Sequence, residues 1–280
     1  APAIEALQAF TDSTWKRITA PVSDLSQLMD TEIFSVTFLL TVKQNEEDEA
    51  CATILSLFET GQRGWNLLPI LAAEVDWGKV LAKLARNPAL ETFLAPVTNG
   101  LDLLSALKSV GTEFVVFCTA GDQFCQNLPA HFYAARKTNP QGEVYSFDCE
   151  YHDPLKDTVR PFFKPSALSP ELMLSVNYLS RAFIRTEKMM NLLSQCDEIP
   201  DAMVFEYRLL FNFLHEKAGI VHIPTVLARL NESEFNPALD GEIKKLLQRR
   251  VNATVSTEIR AENRFIQWEI KEPKTSLIIL

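Results

Sequence analysis

An α/β fold, a mostly parallel sheet flanked by helices, is what this sequence predicts, on three observations. Phe34 to Val42 (FSVTFLLTV) is an unbroken apolar run rich in β-branched residues, of the length and character of a strand buried on both faces. Trp65 to Ala72 (WNLLPILA) and Glu113 to Cys118 (EFVVFC) are two more runs of the same kind. Helical spacing separates the first two, through Ala52, Leu55 and Phe58, and strand, helix, strand is the unit from which parallel sheets are built.

Taken in order, residues 3 to 30 carry apolar positions at helical spacing, Ile4, Leu7 and Phe10, then Leu25 and Leu28, interrupted at Pro21. They read as a helical N-terminal extension over 1–32, ahead of a main domain over 33–230. After the first strand comes a charged loop, Lys43 to Glu49, and then the helix, which Gly61 to Gly64 stop before the second strand. The segments Val80 to Ala85 and Asn99 to Val110, for which a family resemblance given below implies helices, lead into the third strand, which is expected to finish beside the second. Residues 231–280 form a small C-terminal α/β extension: a helix over Leu239 to Arg250, then alternating segments over Ala253 to Ile259 and Phe265 to Ile270.

Bulk properties narrow the function. The net charge is −9, from 27 Lys and Arg against 36 Asp and Glu, which argues against a nucleic-acid surface. No apolar run is long enough to span a membrane. The five cysteines, Cys51, Cys118, Cys125, Cys149 and Cys196, are scattered without C-x-x-C spacing, and four lie in or beside apolar runs. Buried reduced thiols and a cytoplasmic location follow, free or peripheral at the inner face of the membrane. The opening APAIEALQAF has no basic n-region or h-region and no Met, and reads as a processed or excised piece.

The stretch richest in chemistry is Glu143 to Tyr178. Val144, Tyr145 and Phe147 form a β-prone run that is expected to deliver Asp148 and Glu150 to its C-terminal end. Residues i and i+2 of a strand share a face, so both carboxylates would look into one space. Such a pair suits a divalent cation, a sugar hydroxyl or a basic partner, and a solvated strand end is the plain alternative. His131, His152 and His215 share no metal-ligand spacing, so no zinc site is assigned, and His222, flanked by Val221 and Ile223, reads as a satisfied core group.

From Tyr145 onward the chain resembles the second half of a family 2 glycosyltransferase of the bacterial O-antigen and surface-polysaccharide type. There the order is Y-S-D-x-D, an acidic loop, P-x-F-K-P, a helix start and an N-Y pair. Here it is Tyr145-Ser146-Phe147-Asp148-Cys149-Glu150, Asp153, Pro161-Phe162-Phe163-Lys164-Pro165, Ser169-Pro170-Glu171-Leu172 and Asn177-Tyr178. The closing strand, Val221-His222-Ile223-Pro224-Thr225-Val226-Leu227, is similar to the family's H-I-P-x-V-L-Y. The resemblance spans about Ile33 to Leu230 and rests on ordered spacing.

It implies a GT-A fold, a Rossmann-like sheet with its site at the carboxyl ends of the strands. It implies a donor site at Thr41, Lys43, Asn99, Asp122, Asp148 and Glu150, a divalent cation (Mg or Mn) on Asp122 and Asp148 if that site is functional and none otherwise, and Glu206 as the base that deprotonates the acceptor. The family's acids are nevertheless largely missing. Its nucleotide-base aspartate falls on Leu71 and its neighbour on Ala72, with Glu74 or Asp76 available only through a one-residue slide. Its metal aspartates fall on Thr119 and Gly121, leaving Asp122. Gln195-Cys196 stand for its G-G turn, and Arg208 reverses the charge of its second acid.

The expectation is therefore a domain of polysaccharide assembly with an eroded donor and metal site, weakly active or non-catalytic, supporting a neighbouring glycosyltransferase domain or an assembly partner. The alternative is a fully active enzyme using Glu206, with a nucleotide sugar and a saccharide acceptor as partners. A nucleotide-binding regulator would need a glycine loop that the nine glycines do not supply. The ending Glu272-Pro273-Lys274-Thr275-Ser276-Leu277-Ile278-Ile279-Leu280 is similar to the P-K-x-S-I-I-I-P that opens a second such domain in tandem enzymes, so the chain is expected to be the leading domain of a longer protein.

Overall fold

The computed structural model describes residues 35–62, 64–72, 74–85, 90, 103–153, 158–164, 178–196, 202–216, 219–231, 254–260 and 263–269. The expected helices over 3–30 and Leu239–Arg250, together with Asn99, lie outside them.

Strand β1 (Val36–Val42) is central to the first half, with β2 (Trp65–Leu71) on one side and β3 (Phe114–Thr119) on the other, both parallel to it. The expected strands thus form at nearly their expected bounds. The expectation that the second and third finish beside each other does not hold: β1 lies between them, so their tips are two strand spacings apart, about 10 Å. β1 and β3, each with a strand on both sides, are buried along nearly their whole length.

The second half adds β4 (Gln123–Phe124), β5 (Val144–Asp153), β6 (Thr158–Phe162), β7 (Phe183–Arg185) and β8 (Ile220–Asn231). Among the described residues the sheet has eight strands in the order β2-β1-β3-β7-β5-β8-β4, with β6 paired to β5 from Cys149 to Asp153, beyond the short stretch that β7 takes. Its long ladders, β1 with β2, β1 with β3 and β5 with β8, are parallel, and short antiparallel β7 joins the two halves. Pro161 sits in β6, which pairs with β5 alone, as a residue without an N–H requires of its strand.

Helices cover both faces. α1 (Glu47–Phe58), α2 (Trp77–Leu84) and α4 (Leu128–Thr138) pack on the side of Val36, Phe38, Leu40 and Val42. α3 (Leu103–Ser109), α5 (Thr186–Leu193) and α6 (Ala202–Glu216) pack on the side of Leu39, Val115 and Phe117. The period of two along β1 and β3 sorts their side chains between two cores. On the first face Phe183 stacks on Phe132 with ring centroids 3.9 Å apart, and Phe38 meets Phe124 edge-on at 5.5 Å.

α1 turns differently from the expectation. Its buried side chains are Ala50, Cys51, Thr53, Ile54 and Leu57, while Leu55 is 39% exposed and Ala52 and Phe58 are only partly covered. The C-terminal segments pair as an antiparallel hairpin, β9 (Thr254–Arg260) with β10 (Asn263–Glu269).

Candidate functional site

The carboxyl ends of β1 and β3 meet a turn that ends at β7. Thr41, near the end of β1, pairs in register with Thr119, and the Ala120 N–H donates to the Thr41 carbonyl at 3.0 Å. Lys43, one residue past β1, is exposed, and its backbone N–H donates to Glu46 Oε2 at 2.9 Å. Beyond β3 the chain turns through Gly121, whose φ of +93° suits glycine and would strain an aspartate there. Thr53 Oγ1 of α1 accepts the Gly121 N–H at 2.9 Å and fixes this turn.

That geometry aims Asp122 inward, fully buried. A buried carboxylate requires a partner, and Arg181 supplies it. Its Nε donates to Asp122 Oδ2 at 2.6 Å and its Nη2 to Oδ1 at 2.9 Å, a two-pronged grip. Nη2 also donates to Thr119 Oγ1 at 2.7 Å, and Nη1 to Ser180 Oγ at 2.7 Å. Burial works against the charge on Arg181, but the Asp122 carboxylate, by charge and hydrogen bond, outweighs it with help from Glu206 and raises its pKa.

A second knot adjoins the first. Ser146 and Asp148 of β5 and Lys164, two residues past β6, are all buried. Lys164 Nζ donates to Ser146 Oγ at 3.1 Å and to the Ser180 carbonyl at 2.8 Å, so Ser180 joins the two knots. The Lys164 backbone N–H donates to Asp148 Oδ1 at 2.9 Å, and His222 Nε2 of β8 lies 2.8 Å from the same oxygen. Burial lowers the Lys164 pKa, and the nearby acidic groups Cys149 and Asp148 only partly restore it.

Asp148 and Glu150 do not sit at a strand end. β5 runs on to Asp153, clamped between β6 and β8, because the alternation continues through Tyr151 and His152. The ladder with β8 slips on either side of Asp148, and the two carboxylates are taken up by different partners. Asp148 has His222 and Lys164; Glu150 accepts from Arg229 Nε at 2.5 Å. His222 is thus a satisfied group, bonded to a charged residue.

Glu206 lies in the first half of α6, only 4% exposed, and its charge acts on both Lys164 and Arg181. Of the expected residues, Asp122, Asp148 and Glu206 thus share one buried centre, Glu150 lies two residues along β5 from Asp148, and Thr41 lies at the adjoining tip. Sequence reasoning missed Arg181 and left Lys164 as a motif letter. A lone arginine in the apolar segment Leu179–Ile184 was the available signal, since a buried guanidinium must be paired.

The donor set does not fit a divalent cation. Mg or Mn needs several hard oxygens free to converge, and both oxygens of Asp122 and Oδ1 of Asp148 are spent on nitrogen donors. Among the described residues no group of three or more His, Cys, Asp or Glu is disposed to hold a metal. Four carboxylates, Asp122, Asp148, Glu150 and Glu206, stand against three cations, Lys164, Arg181 and Arg229. An anionic diphosphate arriving without a metal meets no surplus of positive charge.

No protein-family model matches the chain, and no curated protein matches it in sequence. Solved structures do match in fold. Residues 1–349 of TarS from S. aureus, in complex with UDP, superpose with a TM-score of 0.54 at 13% identity, over 77% of this chain and 71% of that one. The glucosyl-3-phosphoglycerate synthase of Mycobacterium tuberculosis, in complex with Mn2+, UDP and glucosyl-3-phosphoglycerate, gives 0.53 at 15% identity, over 90% of this chain and 94% of that one. The fold is the GT-A, Rossmann-like fold of these glycosyltransferases. At such identities the likeness speaks for fold alone.

Proposed function

We propose that this is a glycosyltransferase-like domain of bacterial surface-polysaccharide assembly whose donor site has been given up, so that it acts as a non-catalytic or weakly active support. Its partner is a neighbouring glycosyltransferase domain or another member of the assembly, in the cytoplasm or at the inner face of the membrane. The observation that carries this reading is the grip of Arg181 on Asp122 and Thr119. It closes the strand tip where the resemblance calls for metal-holding acids, and Leu71, Thr119 and Gly121 offer no carboxylate in compensation.

Loss of metal ligands removes several kcal/mol of charge stabilisation from a departing diphosphate. Isothermal titration of the protein with UDP, GDP and their sugars, with Mn2+ present, is expected to give no heat corresponding to a Kd below about 1 mM. Micromolar, metal-dependent binding would overturn the reading.

One observation favours the alternative of an active enzyme. Glu206 is a buried carboxylate in the same centre as Asp122 and Asp148, and a carboxylate is the residue type that takes an acceptor proton. In that reading a divalent cation belongs with Asp122 and Asp148 and must first displace Arg181. Sugar transfer abolished by Glu206→Gln, with binding retained, would establish it.

A further inference from the structure

We propose that the Arg181 guanidinium is the resident cation of this centre: it takes the hard oxygens that a divalent ion would take at the tip of β3, and it makes the centre metal-independent. The inference rests on the reading above for where a donor would lie, but not for whether one binds.

Three observations converge on it. The first is the ligand set. Both oxygens of Asp122, the hydroxyl of Thr119 and the hydroxyl of Ser180 surround one planar cation at 2.6 to 2.9 Å. Carboxylates and hydroxyls grouped around one charge are oxygen chemistry that Mg2+ or Mn2+ also uses. The guanidinium differs in being tethered, so no chelator removes it.

The second is burial. Asp122 is fully covered, and the Arg181 side chain is 10% exposed. The carboxylate is thereby neutralised from within the chain, where a metal site would be neutralised from solution.

The third is backbone conformation. Arg181 has φ +60°, in the left-handed region that side-chain-bearing residues rarely adopt. Such a conformation persists where the surroundings over-determine it, and four hydrogen bonds from one side chain do so. It also selects the test, because Arg181→Gly removes the cation without adding backbone strain.

The experiment is thermal unfolding of the protein at pH 8 with EDTA, Mg2+ or Mn2+, for the unaltered chain, Arg181→Gly, Arg181→Gly with Asp122→Asn, and Arg181→Gly with Thr119→Asp. The unaltered chain is expected to melt at the same temperature in all three solutions. Arg181→Gly, left with a buried carboxylate that keeps the Thr119 N–H at 2.7 Å but has lost its ion-pair partner, is expected to melt roughly 6–20 °C lower in EDTA. Millimolar Mn2+ should recover part of that loss, more of it in the variant that also carries Thr119→Asp, and none once Asp122 is replaced by Asn. Stabilisation of the unaltered chain by Mn2+, or equal recovery with and without the Asp122 carboxylate, overturns the proposal.

Should Arg181→Gly not fold, Mn2+ water-proton relaxation of the unaltered chain decides alone. A bound ion lost on Asp122→Asn overturns the inference, and no bound ion supports it. The two readings fail separately. Metal-free binding of a nucleoside diphosphate would end the non-catalytic reading and leave Arg181 in its role. Mn2+ binding without nucleotide would do the reverse.

Discussion

Lys164 shows how one side chain can hold a centre together. Its ammonium is enclosed by Ser146 Oγ and the Ser180 carbonyl, with the rings of Phe147 and Tyr178 at 5.6 and 5.7 Å, so hydrogen bonds and aromatic faces replace water. Ser146 in turn donates to the Tyr178 carbonyl at 3.0 Å. Ser146→Ala therefore takes one acceptor from a buried ammonium and one donor from a buried carbonyl. It is expected to cost about 1–3 kcal/mol in urea unfolding, and an unchanged midpoint would refute that account. The carboxylates of this centre were legible in the sequence as chemistry, because D-x-E and a lone Asp after an apolar strand stand out. Their partners were not. Arg181 follows Asp122 by 59 residues and Arg229 follows Glu150 by 79, and no local pattern links residues that only the sheet brings together.

At the scale of elements, apolar runs specified β1, β2 and β3 to within one or two residues, since a strand covered on both faces has little choice of composition. The face of α1 was harder, because its inward side is partly polar. Thr53 and Ser56, three residues apart, point the same way and accept the backbone N–H groups of Gly121 and Phe124 at 2.9 and 3.1 Å. Those two hydroxyls anchor the turn from β3 to β4. Counting apolar residues alone chose Ala52, Leu55 and Phe58 for the inner face, and the hydrogen-bonded hydroxyls of buried Thr53 and half-buried Ser56 turned the helix away from that answer. Ser56→Ala removes the acceptor from the Phe124 N–H and should lower that amide's protection from hydrogen exchange by about tenfold, with the strand amides of β1 unaffected. Equal protection in both proteins would mean that another group holds the turn. The long connection from β6 to β7, by contrast, carries no periodic signal that would have announced Arg181 in a left-handed conformation.

For the molecule as a whole, the four buried thiols set a limit on alkaline stability. Cys51, Cys118, Cys125 and Cys149 are free and buried, and only Cys196 is partly exposed. At pH 8 a thiol reagent should therefore titrate Cys196 quickly and the other four only as the protein opens. Burial pushes the thiols of Cys125 and Cys149 from 9.0 up to about 11, and that of Cys118 well above its ordinary value. A raised folded-state pKa means that the unfolded chain loses its proton first, so stability held below pH 9 is lost as pH rises from 9 towards 11. Lys164 works the other way: its pKa is lowered by burial, so the unfolded chain keeps its proton longer and stability is gained as pH approaches 10.5. The raised thiols act together against the one ammonium, and stability is expected to fall between pH 7.5 and pH 10. Urea midpoints at the two pH values measure it, and Cys149→Ala should flatten the slope while costing some stability at neutral pH. A midpoint that holds or rises at pH 10 would mean that the buried ammonium, and not the thiols, governs how this fold responds to base.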